Sequence, residues 1–301
     1  MRGLPDKFLQ DLLKGSLHGF LTAVQSDDTL CLEIRDDYVN IYYRGGNLCR
    51  IVPKSGSYSM KFDSNYAKTP KHKELIKNKK NWSISEWVAN IPLLKLIIDT
   101  YEPPFEREIQ QLILRENNKS PVSNGTDYFI IDIEYANSKN GSRFDMVAVR
   151  WPSTSSERRK KSNRRFAFIE LKYGDKALSG NAGILEHIKD MKNYLGNSNI
   201  LQNLGQEMAE VFNQKVELGL LPKKPGKIKS FSSGRPEFIL LIANHDPDST
   251  VLKRELREVC KSDEYEALCK LCDLKIAKAS PLGYGLYERC MISIDEYIKQ
   301  L

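Results

Sequence analysis

"FDMVAVRWPSTSSERRKKSNRRFAFIELKYG", residues 144–174, contains two apolar runs of strand length on either side of a polar loop. Side chains alternate across a strand, so Phe166, Phe168, Glu170 and Lys172 share one face of the second run. That face begins apolar and ends in two charges, and an unpaired buried charge costs on the order of several kcal/mol. A strand buried on both faces therefore needs a group beside Glu170 and Lys172 that compensates their charges.

A divalent cation is one such compensating group. Asp145 stands near the start of the first run and supplies a second carboxylate if the two runs pair as a hairpin. Mg²⁺ binds a few carboxylate oxygens, keeps waters and accepts phosphate oxygens of a substrate as its remaining ligands. Lys172 would then lie beside a metal-bound water, where an ammonium orients that water and favours its hydroxide form.

Three strand-like runs and the helices around them set the context of these residues. The runs are YFIIDIEYA (128–136), RFDMVAVRW (143–151) and RFAFIELKY (165–173). A helix with an apolar face precedes them from residue 105, helical periodicity follows them, and the fully apolar EFILLIAN (237–244) is a further strand. This order predicts an α/β protein with a mixed central sheet.

The order of elements, with Asp145 in the second strand and Glu-x-Lys in the third, resembles the PD-(D/E)xK nuclease superfamily, which has the restriction-endonuclease-like fold. The resemblance covers about residues 105–245. It implies that Asp145 and Glu170 are metal ligands, that the Leu171 carbonyl is another, and that Lys172 is the catalytic lysine. It also implies Mg²⁺ or Mn²⁺ as the cofactor, nucleic acid, with DNA as the family expectation, as the substrate, and a homodimer where both strands are cut.

Neighbouring residues are candidates for supporting roles at such a site. Many members of the superfamily carry a glutamate on the helix before the first strand; Glu108 fits that role, or Glu106 on the other flank of the same apolar face. The helix after the third strand often contributes a polar residue, and His187 is the candidate, although a semi-buried structural histidine explains it equally well. Glu134 in the first strand is either a further metal ligand or an exposed edge residue.

A second stretch matches the literal motif, with Pro247-Asp248 and Asp273-Leu274-Lys275. Residues 250–272 have helical periodicity, and Asp248 has the position of a helix cap. We therefore expect no hairpin that brings Asp248 and Asp273 together, and the first match is favoured.

The loop between the last two strands of the motif is basic. Its position at one rim of the proposed site favours phosphate contact, whereas a solvated loop tip is the simpler explanation. The formal net charge of +7 suits a polyanionic partner. The predicted nucleic-acid-binding residues are Arg158, Arg159, Lys160, Lys161, Arg164 and Arg165.

Residues 1–104 are predicted to form a β-rich domain to which no function is assigned, and residues 105–301 the nuclease-like domain. The stretch 30–62 breaks into four β-rich runs at turn-forming residues, as in an antiparallel meander. Ser83 and Glu86 fit a capping box at a helix start. The N-terminal residues lack the continuous apolar run of a signal peptide or a membrane span, so we expect a cytoplasmic protein with no membrane partner.

The six cysteines of this 301-residue chain do not indicate a disulfide framework, and reduced thiols are expected. Cys269 and Cys272, with Cys260 and Cys290, leave a four-thiolate metal site as an alternative to buried structural thiols.

Together these features predict a metal-dependent nuclease that hydrolyses phosphodiester bonds of nucleic acid. The alternative is a nucleic-acid-binding or scaffold protein that kept the fold without turnover. A third interpretation is a structural protein in which Glu170 and Lys172 form an ordinary cross-strand ion pair.

Overall fold

The strand-like runs and helical periodicities of the sequence become two β-sheets and the helices that accompany them. A computed structural model of the chain describes residues 2–136, 143–197, 199–222, 226–246, 249–279 and 285–300. Within these residues the strands form one antiparallel sheet of four strands and one mixed sheet of six. The predicted α/β class with a mixed central sheet is confirmed.

The first sheet is the antiparallel meander predicted for residues 30–62. Its strands, in both chain and spatial order, are β1 (Leu30–Ile34), β2 (Val39–Tyr43), β3 (Gly46–Lys54) and β4 (Ser57–Lys61). Arg44-Gly45 and Ser55-Gly56 are two-residue hairpin turns in which every residue has positive φ, between 33° and 80°. Turns of this kind match the twist of the strands that they join, so the short runs close into tight hairpins.

The second sheet carries the residues of the predicted site. Its strands are β5 (Tyr128–Ala136), β6 (Arg143–Arg150), β7 (Arg165–Tyr173), β8 (Glu237–Ala243), β9 (Asp273–Ala279) and β10 (Ile292–Ser293), in the spatial order β10-β9-β8-β7-β6-β5. Strands β5, β6 and β7 are antiparallel neighbours, β7, β8 and β9 are parallel, and β10 is antiparallel to β9. Strand β7 lies in the interior of the sheet, and every residue from Phe166 to Lys172 is buried.

Strand β9 is absent from the sequence-based prediction. Its first residue, Asp273, belongs to the second match to the motif, and its carboxylate pairs with Arg165 and Arg235. Pro247 and Asp248 of that match lie outside the described residues. Asp273 is thus engaged by cations of the sheet.

The helices of the described residues include those predicted from apolar periodicity. They are α1 (Asp6–Leu13), α2 (His18–Ser26), α3 (Pro70–Leu75), α4 (Ile84–Ala89), α5 (Ile91–Tyr101), α6 (Phe105–Asn118), α7 (Ser155–Arg158), α8 (Ile184–Leu195), α9 (Ile200–Glu217), α10 (Val251–Cys260), α11 (Asp263–Leu271) and α12 (Ile294–Gln300). Of these, α3, α7 and α12 were not predicted. The capping box of Ser83 and Glu86 at the start of α4 is confirmed. None of the described helices combines the length and the apolar character that a membrane crossing requires.

The chain divides into two compact units. The first comprises Met1–Arg115 and Glu210–Gly226, and the second comprises Glu116–Ala209 and Lys227–Leu301. The second half of α9 returns to the first unit because Lys215 forms an ion pair of 2.7 Å with Glu33 on β1, and both side chains are almost fully buried. The predicted domain boundary at residue 104 puts α6 and all of α9 in the second domain, whereas most of α6 and the second half of α9 belong to the first compact unit.

A second buried carboxylate ties together the start of β8 and its neighbouring strands. Glu237 is fully buried and accepts a hydrogen bond of 2.7 Å from the Tyr128 hydroxyl. Three cations surround it, with nitrogen–oxygen distances of 3.2 Å to Arg150, 3.5 Å to Arg165 and 3.0 Å to Lys275. One side chain thus connects β5, β6, β7, β8 and β9, which fixes the end of the sheet where β7 and β8 begin.

We expect Glu237→Ala to lower the free energy of unfolding by about 3–5 kcal/mol, because three partly buried cations would lose their shared partner. Urea denaturation followed by circular dichroism measures the change. Glu266→Ala is the control, because Glu266 pairs with Lys270 on the surface of α11, and no shift of the denaturation midpoint is expected. Equal midpoints for the wild type and Glu237→Ala would contradict a structural role for the network.

Candidate functional site

The hairpin of β6 and β7 brings the two predicted acidic residues to the same level. Its last paired residues are Met146 and Ile169, so the antiparallel register places Asp145 opposite Glu170 in the next position. The backbone ladder stops there, and Oδ2 of Asp145 accepts a hydrogen bond of 2.8 Å from the Leu171 N–H. The carboxylate thus takes the place of a ladder carbonyl and fixes Asp145 against the strand that carries Glu170.

Glu170 and Lys172 form an ion pair on the face of β7 that strand alternation predicts. Nζ of Lys172 lies 2.9 Å from Oε1 of Glu170, and each side chain is 5% exposed. Lys172 Nζ also donates a hydrogen bond of 2.8 Å to the Ala182 carbonyl oxygen. Two acceptors, one on β7 and one in the segment before α8, therefore offset the desolvation of the ammonium.

His187 on α8 contacts the same carboxylate. Its Nε2 lies 3.0 Å from Oε1 of Glu170. Burial, followed by the charge of Lys172, lowers the pKa of His187 to about 4. The ring is therefore neutral near pH 7, and the contact with the carboxylate is a close approach of a neutral imidazole rather than an ion pair. The structure thus brings His187, Glu170 and Lys172 into direct contact.

Glu134 on β5 belongs to the same level of the sheet. Tyr135 pairs with Phe144, so the register places Glu134 opposite Asp145. The φ of Glu134 is 53°, in the left-handed region that few residues other than glycine adopt, and the residue is half-buried. Its role as a metal ligand stays a prediction. Among the described parts of the chain, no three His, Cys, Asp or Glu side chains are grouped so that they could hold a metal ion.

Glu108, the predicted supporting glutamate, belongs to the first unit. Its Oε1 lies 2.9 Å from Nε of Arg44, and Arg44 also lies 2.9 Å from Asp99. Arg44 is in the left-handed turn between β2 and β3, so Glu108 and Asp99 stabilise that turn. This contact was not foreseen from the sequence, and the support of a metal site by Glu108 or Glu106 stays a prediction.

Arg158 and Arg164, two of the predicted nucleic-acid-binding cations, are held by internal contacts. Arg158 donates to the Thr126 carbonyl oxygen and lies 4.4 Å from the centre of the Phe129 ring. Burial lowers the pKa of Arg158 to about 10, so it is still a cation at neutral pH. Arg164 is buried and lies 3.3 Å from the Glu157 carboxylate. Arg158 therefore fastens the loop to β5 and the segment before it, whereas Arg164 joins two parts of the loop itself.

Of the remaining four cations of the loop, one is held by internal contacts and three are exposed. Arg165 donates to the Arg235 carbonyl oxygen at 3.0 Å, in addition to its contact with Glu237. Arg159, Lys160 and Lys161 are exposed. The loop joins the end of β6 to the start of β7, whereas Asp145 and Glu170 lie at the other end of that hairpin, so the predicted position of the loop at a rim of the site is wrong. Phosphate contact by its exposed side chains stays a prediction.

An aspartate–histidine pair lies at the edge of the sheet where β7 and β8 end. Because these strands are parallel and paired through Tyr173 and Ala243, the chain leaves both at the same edge. There Nδ1 of His245 lies 2.7 Å from Oδ1 of Asp175. Burial acts to raise the pKa of Asp175, but hydrogen bonds from Ser249 and His245 outweigh it and lower that pKa. The two residues are 70 positions apart, so no local pattern could have indicated this pair.

The cysteines are free thiols, as expected. Cys272 is buried, and burial raises the pKa of its thiol to about 12, whereas Cys290 is exposed. Within the described residues the four cysteines of the alternative metal site do not form a metal-binding group. Buried structural thiols therefore explain Cys272 better than a thiolate cluster does.

The geometry defines a class of site: a buried carboxylate–ammonium pair and a second carboxylate at the point where two antiparallel strands part. Comparison of the chain with protein-family models, with curated proteins and with solved structures finds no match. The assignment of a function therefore rests on the site itself and on the motif in the sequence.

We expect Glu170→Gln and Lys172→Met each to lower the free energy of unfolding by about 3 kcal/mol, because each leaves one buried charge without its partner. The double variant Glu170→Gln/Lys172→Met removes both charges, so we expect it to be more stable than the sum of the single losses implies. Urea denaturation of the four proteins measures this coupling. Strictly additive losses would show that the two side chains do not interact.

Proposed function

We propose that the protein is a metal-dependent nuclease of the PD-(D/E)xK type, which hydrolyses phosphodiester bonds of nucleic acid, with DNA as the expected substrate. The observation that carries the proposal is the placement of Asp145, Glu170 and Lys172 where β6 and β7 part. This is the constellation that the motif requires on a hairpin, whereas Asp273 of the second literal match is paired with Arg165 and Arg235.

The order and pairing of the elements support the restriction-endonuclease-like fold. Helix α6 precedes the antiparallel series β5, β6 and β7, helix α8 follows, and β8 returns parallel to β7. This is the succession of helix, three strands, helix and strand that accompanies the motif in the sequence. It places the Glu-x-Lys segment at the carboxyl end of a central strand, where ligands of open α/β sheets bind.

The donor set fits Mg²⁺ or Mn²⁺. Two carboxylates, Asp145 and Glu170, face one ammonium, Lys172, while His187 is neutral, so the local charge is negative. Mg²⁺ binds through one or two carboxylates and completes its shell with water and phosphate oxygens, so a third acidic ligand is not required. Asp145, Glu170 and the Leu171 carbonyl would hold the ion. When bound, it would neutralise the charge that develops on the phosphate.

Lys172 and His187 have distinct roles in this proposal. Lys172 holds a positive charge beside Glu170, where its Nζ can orient a water molecule towards the scissile phosphate. His187 packs against the Glu170 carboxylate, with Nε2 3.0 Å from Oε1, and thereby restricts the direction of that carboxylate. Because its ring is neutral, His187 orients Glu170 without adding a second positive charge.

One contact favours a second candidate function. Oε1 of Glu170 accepts a hydrogen bond from Lys172 and lies 3.0 Å from Nε2 of His187, so protein groups already surround this oxygen. In a catalytically silent nucleic-acid-binding or scaffold protein, the Glu170 carboxylate would be held by protein groups in this way. Such a protein would bind nucleic acid without metal and would not cleave it.

Asp145→Asn distinguishes the two candidates, because an asparagine oxygen can still accept from the Leu171 N–H while the charge for a metal is lost. We expect calorimetric titration with Mn²⁺ to show binding to the wild type and loss of binding to Asp145→Asn, with DNA cleavage lost in parallel. Lys172→Met should keep metal binding, and its cleavage rate should fall by about 100-fold or more.

Asp190→Asn is the matched control, since Asp190 is an exposed aspartate on α8, and both properties should be retained. Metal binding that is unchanged by Asp145→Asn would place the site elsewhere. A wild type that binds DNA in EDTA and does not cleave it with Mg²⁺ would favour the silent alternative.

The exposed tip of the basic loop generates a further prediction. We expect the variant with Arg159, Lys160 and Lys161 replaced by glutamine to bind DNA more weakly, because fewer counterions are released. The slope of log K against log salt should become shallower by up to about 2–3, at about 0.7–0.9 for each lost phosphate contact.

The matched control replaces three exposed cations of α10 and α11 and the turn between them, Arg254, Lys261 and Lys270, by glutamine. It removes the same net charge from the same unit. A salt slope that falls equally in the two variants would refute a specific role for the loop tip.

A further inference from the structure

A polar groove in the second unit has no role in the functional site described above. It has a volume of about 660 Å³ and lies between the first half of α9 and the segment 229–233. This volume is within the range of about 300–1,000 Å³ that is common for ligand sites. Its lining includes Asn163, Gln202, Gly205, Gln206, Lys229 and Phe231.

One wall of the groove is held against the basic loop. The Lys229 N–H donates to the Lys161 carbonyl oxygen at 2.8 Å, and the Ser232 N–H donates to the Arg164 carbonyl oxygen at 2.8 Å. Phe231 and Arg164 form a parallel bridge. These bonds place the exposed Lys229 next to the exposed Lys161, so cations from two distant parts of the chain meet at the rim of the groove.

An aromatic ring is fixed in the lining. The Phe231 ring stacks on the Phe166 ring with centroids 4.0 Å apart and planes 2° from parallel. Phe166 is buried in β7, whereas Phe231 is half-buried and contributes to the surface of the groove. A ring that is immobilised beside amide side chains and a lysine is the arrangement on which unpaired bases stack in single-strand binding sites.

Gly205 keeps the floor of the groove open. Glycine inside a helix is destabilising relative to alanine. A Cβ at this position would lie 3.5 Å from Cβ of Phe231 and 4.0 Å from Cε2 of Phe166, which is ordinary van der Waals contact. Packing therefore does not require a glycine here, and the space above Gly205 remains available to a ligand.

The groove is linked to Glu170 through β7, because its Phe231 ring stacks on Phe166 of that strand. Phe166 and Glu170 are four positions apart on β7, and alternation puts both on the same face. At about 3.3 Å per residue they are separated by about 13 Å, which corresponds to about four steps of a stacked nucleic-acid strand at 3.4 Å each. A nucleic-acid strand is therefore long enough to place one base in the groove and a phosphodiester at Glu170, on a path over the surface of the unit and not along β7 itself, whose residues 166–172 are buried.

We propose that this groove binds an unpaired nucleotide of the substrate strand, with the base against Phe231 and the amides of Gln202 and Gln206, and with a phosphate at Lys229. The proposal rests on the proposed nuclease function. It makes the substrate single-stranded on one side of the cleaved bond.

The test measures binding without cleavage. A fluorescein-labelled thymine oligonucleotide of about 16 nucleotides, the upper span of one single-strand module, is titrated with protein in EDTA at about 50 mM salt, and its anisotropy is recorded. We expect Gln206→Glu to weaken binding about tenfold, because the new carboxylate meets the phosphates in the groove. Phe231→Leu should weaken binding about fivefold or more through the lost stacking surface.

Asn203→Asp is the matched control, because it introduces the same charge on the exposed side of α9 and position 203 does not line the groove. Its affinity should stay within about twofold of the wild type. Equal losses of oligonucleotide affinity in Gln206→Glu and Asn203→Asp would overturn the proposed nucleotide site in the groove and leave the nuclease proposal intact. Mononucleotide dTMP that binds as tightly as the oligonucleotide would place a free nucleotide there and also overturn it. A wild type that neither binds nor cleaves nucleic acid would overturn both proposals.

Discussion

The ion pair of Glu170 and Lys172 is the constraint around which the second unit is arranged. Both side chains are 5% exposed, so each has given up most of its hydration. Such a pair is often no more stabilising than two apolar residues of similar size, because desolvation cancels most of the attraction. The surrounding contacts, from the Ala182 carbonyl and from His187, reduce that cost without removing it. A charged pair in the core of β7 is therefore better explained by chemistry than by stability.

The two ends of β7 hold charge in different ways. Near the start of β8, the buried Glu237 shares Arg150, Arg165 and Lys275 with Asp273 and Glu288, so charges of both signs neutralise one another across β6, β7, β8 and β9. Near the end of β7, Glu170 pairs with Lys172, and Asp145 accepts a hydrogen bond from the Leu171 N–H. The first arrangement joins strands, whereas the second brings two carboxylates to one level of the sheet, where the proposed nuclease would bind its cation.

Local sequence patterns predicted much of this fold, whereas the features that they missed depend on contacts between residues far apart in the chain. Alternation in RFAFIELKY was enough to put Glu170 and Lys172 on one face, and turn-forming residues were enough to divide 30–62 into four strands. Strand β9 escaped prediction because DLKIAKA contains two lysines, and one of them, Lys275, is neutralised by the distant Glu237. For the same reason the sequence could not separate the structural Arg164 from its exposed neighbours.

The contacts of the basic loop separate its structural cations from its exposed ones. Arg158, Arg164 and Arg165 hold the loop in place, and Lys229 joins the exposed cations because its segment pairs with residues 161–164. The resulting order on the second unit is a cationic rim, a stacking ring on Phe166 and, further along the same face of β7, the acidic pair. In the proposed nuclease, the cationic rim would attract the phosphates of a strand, and the groove beside Phe231 would hold one base. The bond at the acidic pair would then lie at a fixed distance from that base, because a single strand of the sheet sets the spacing.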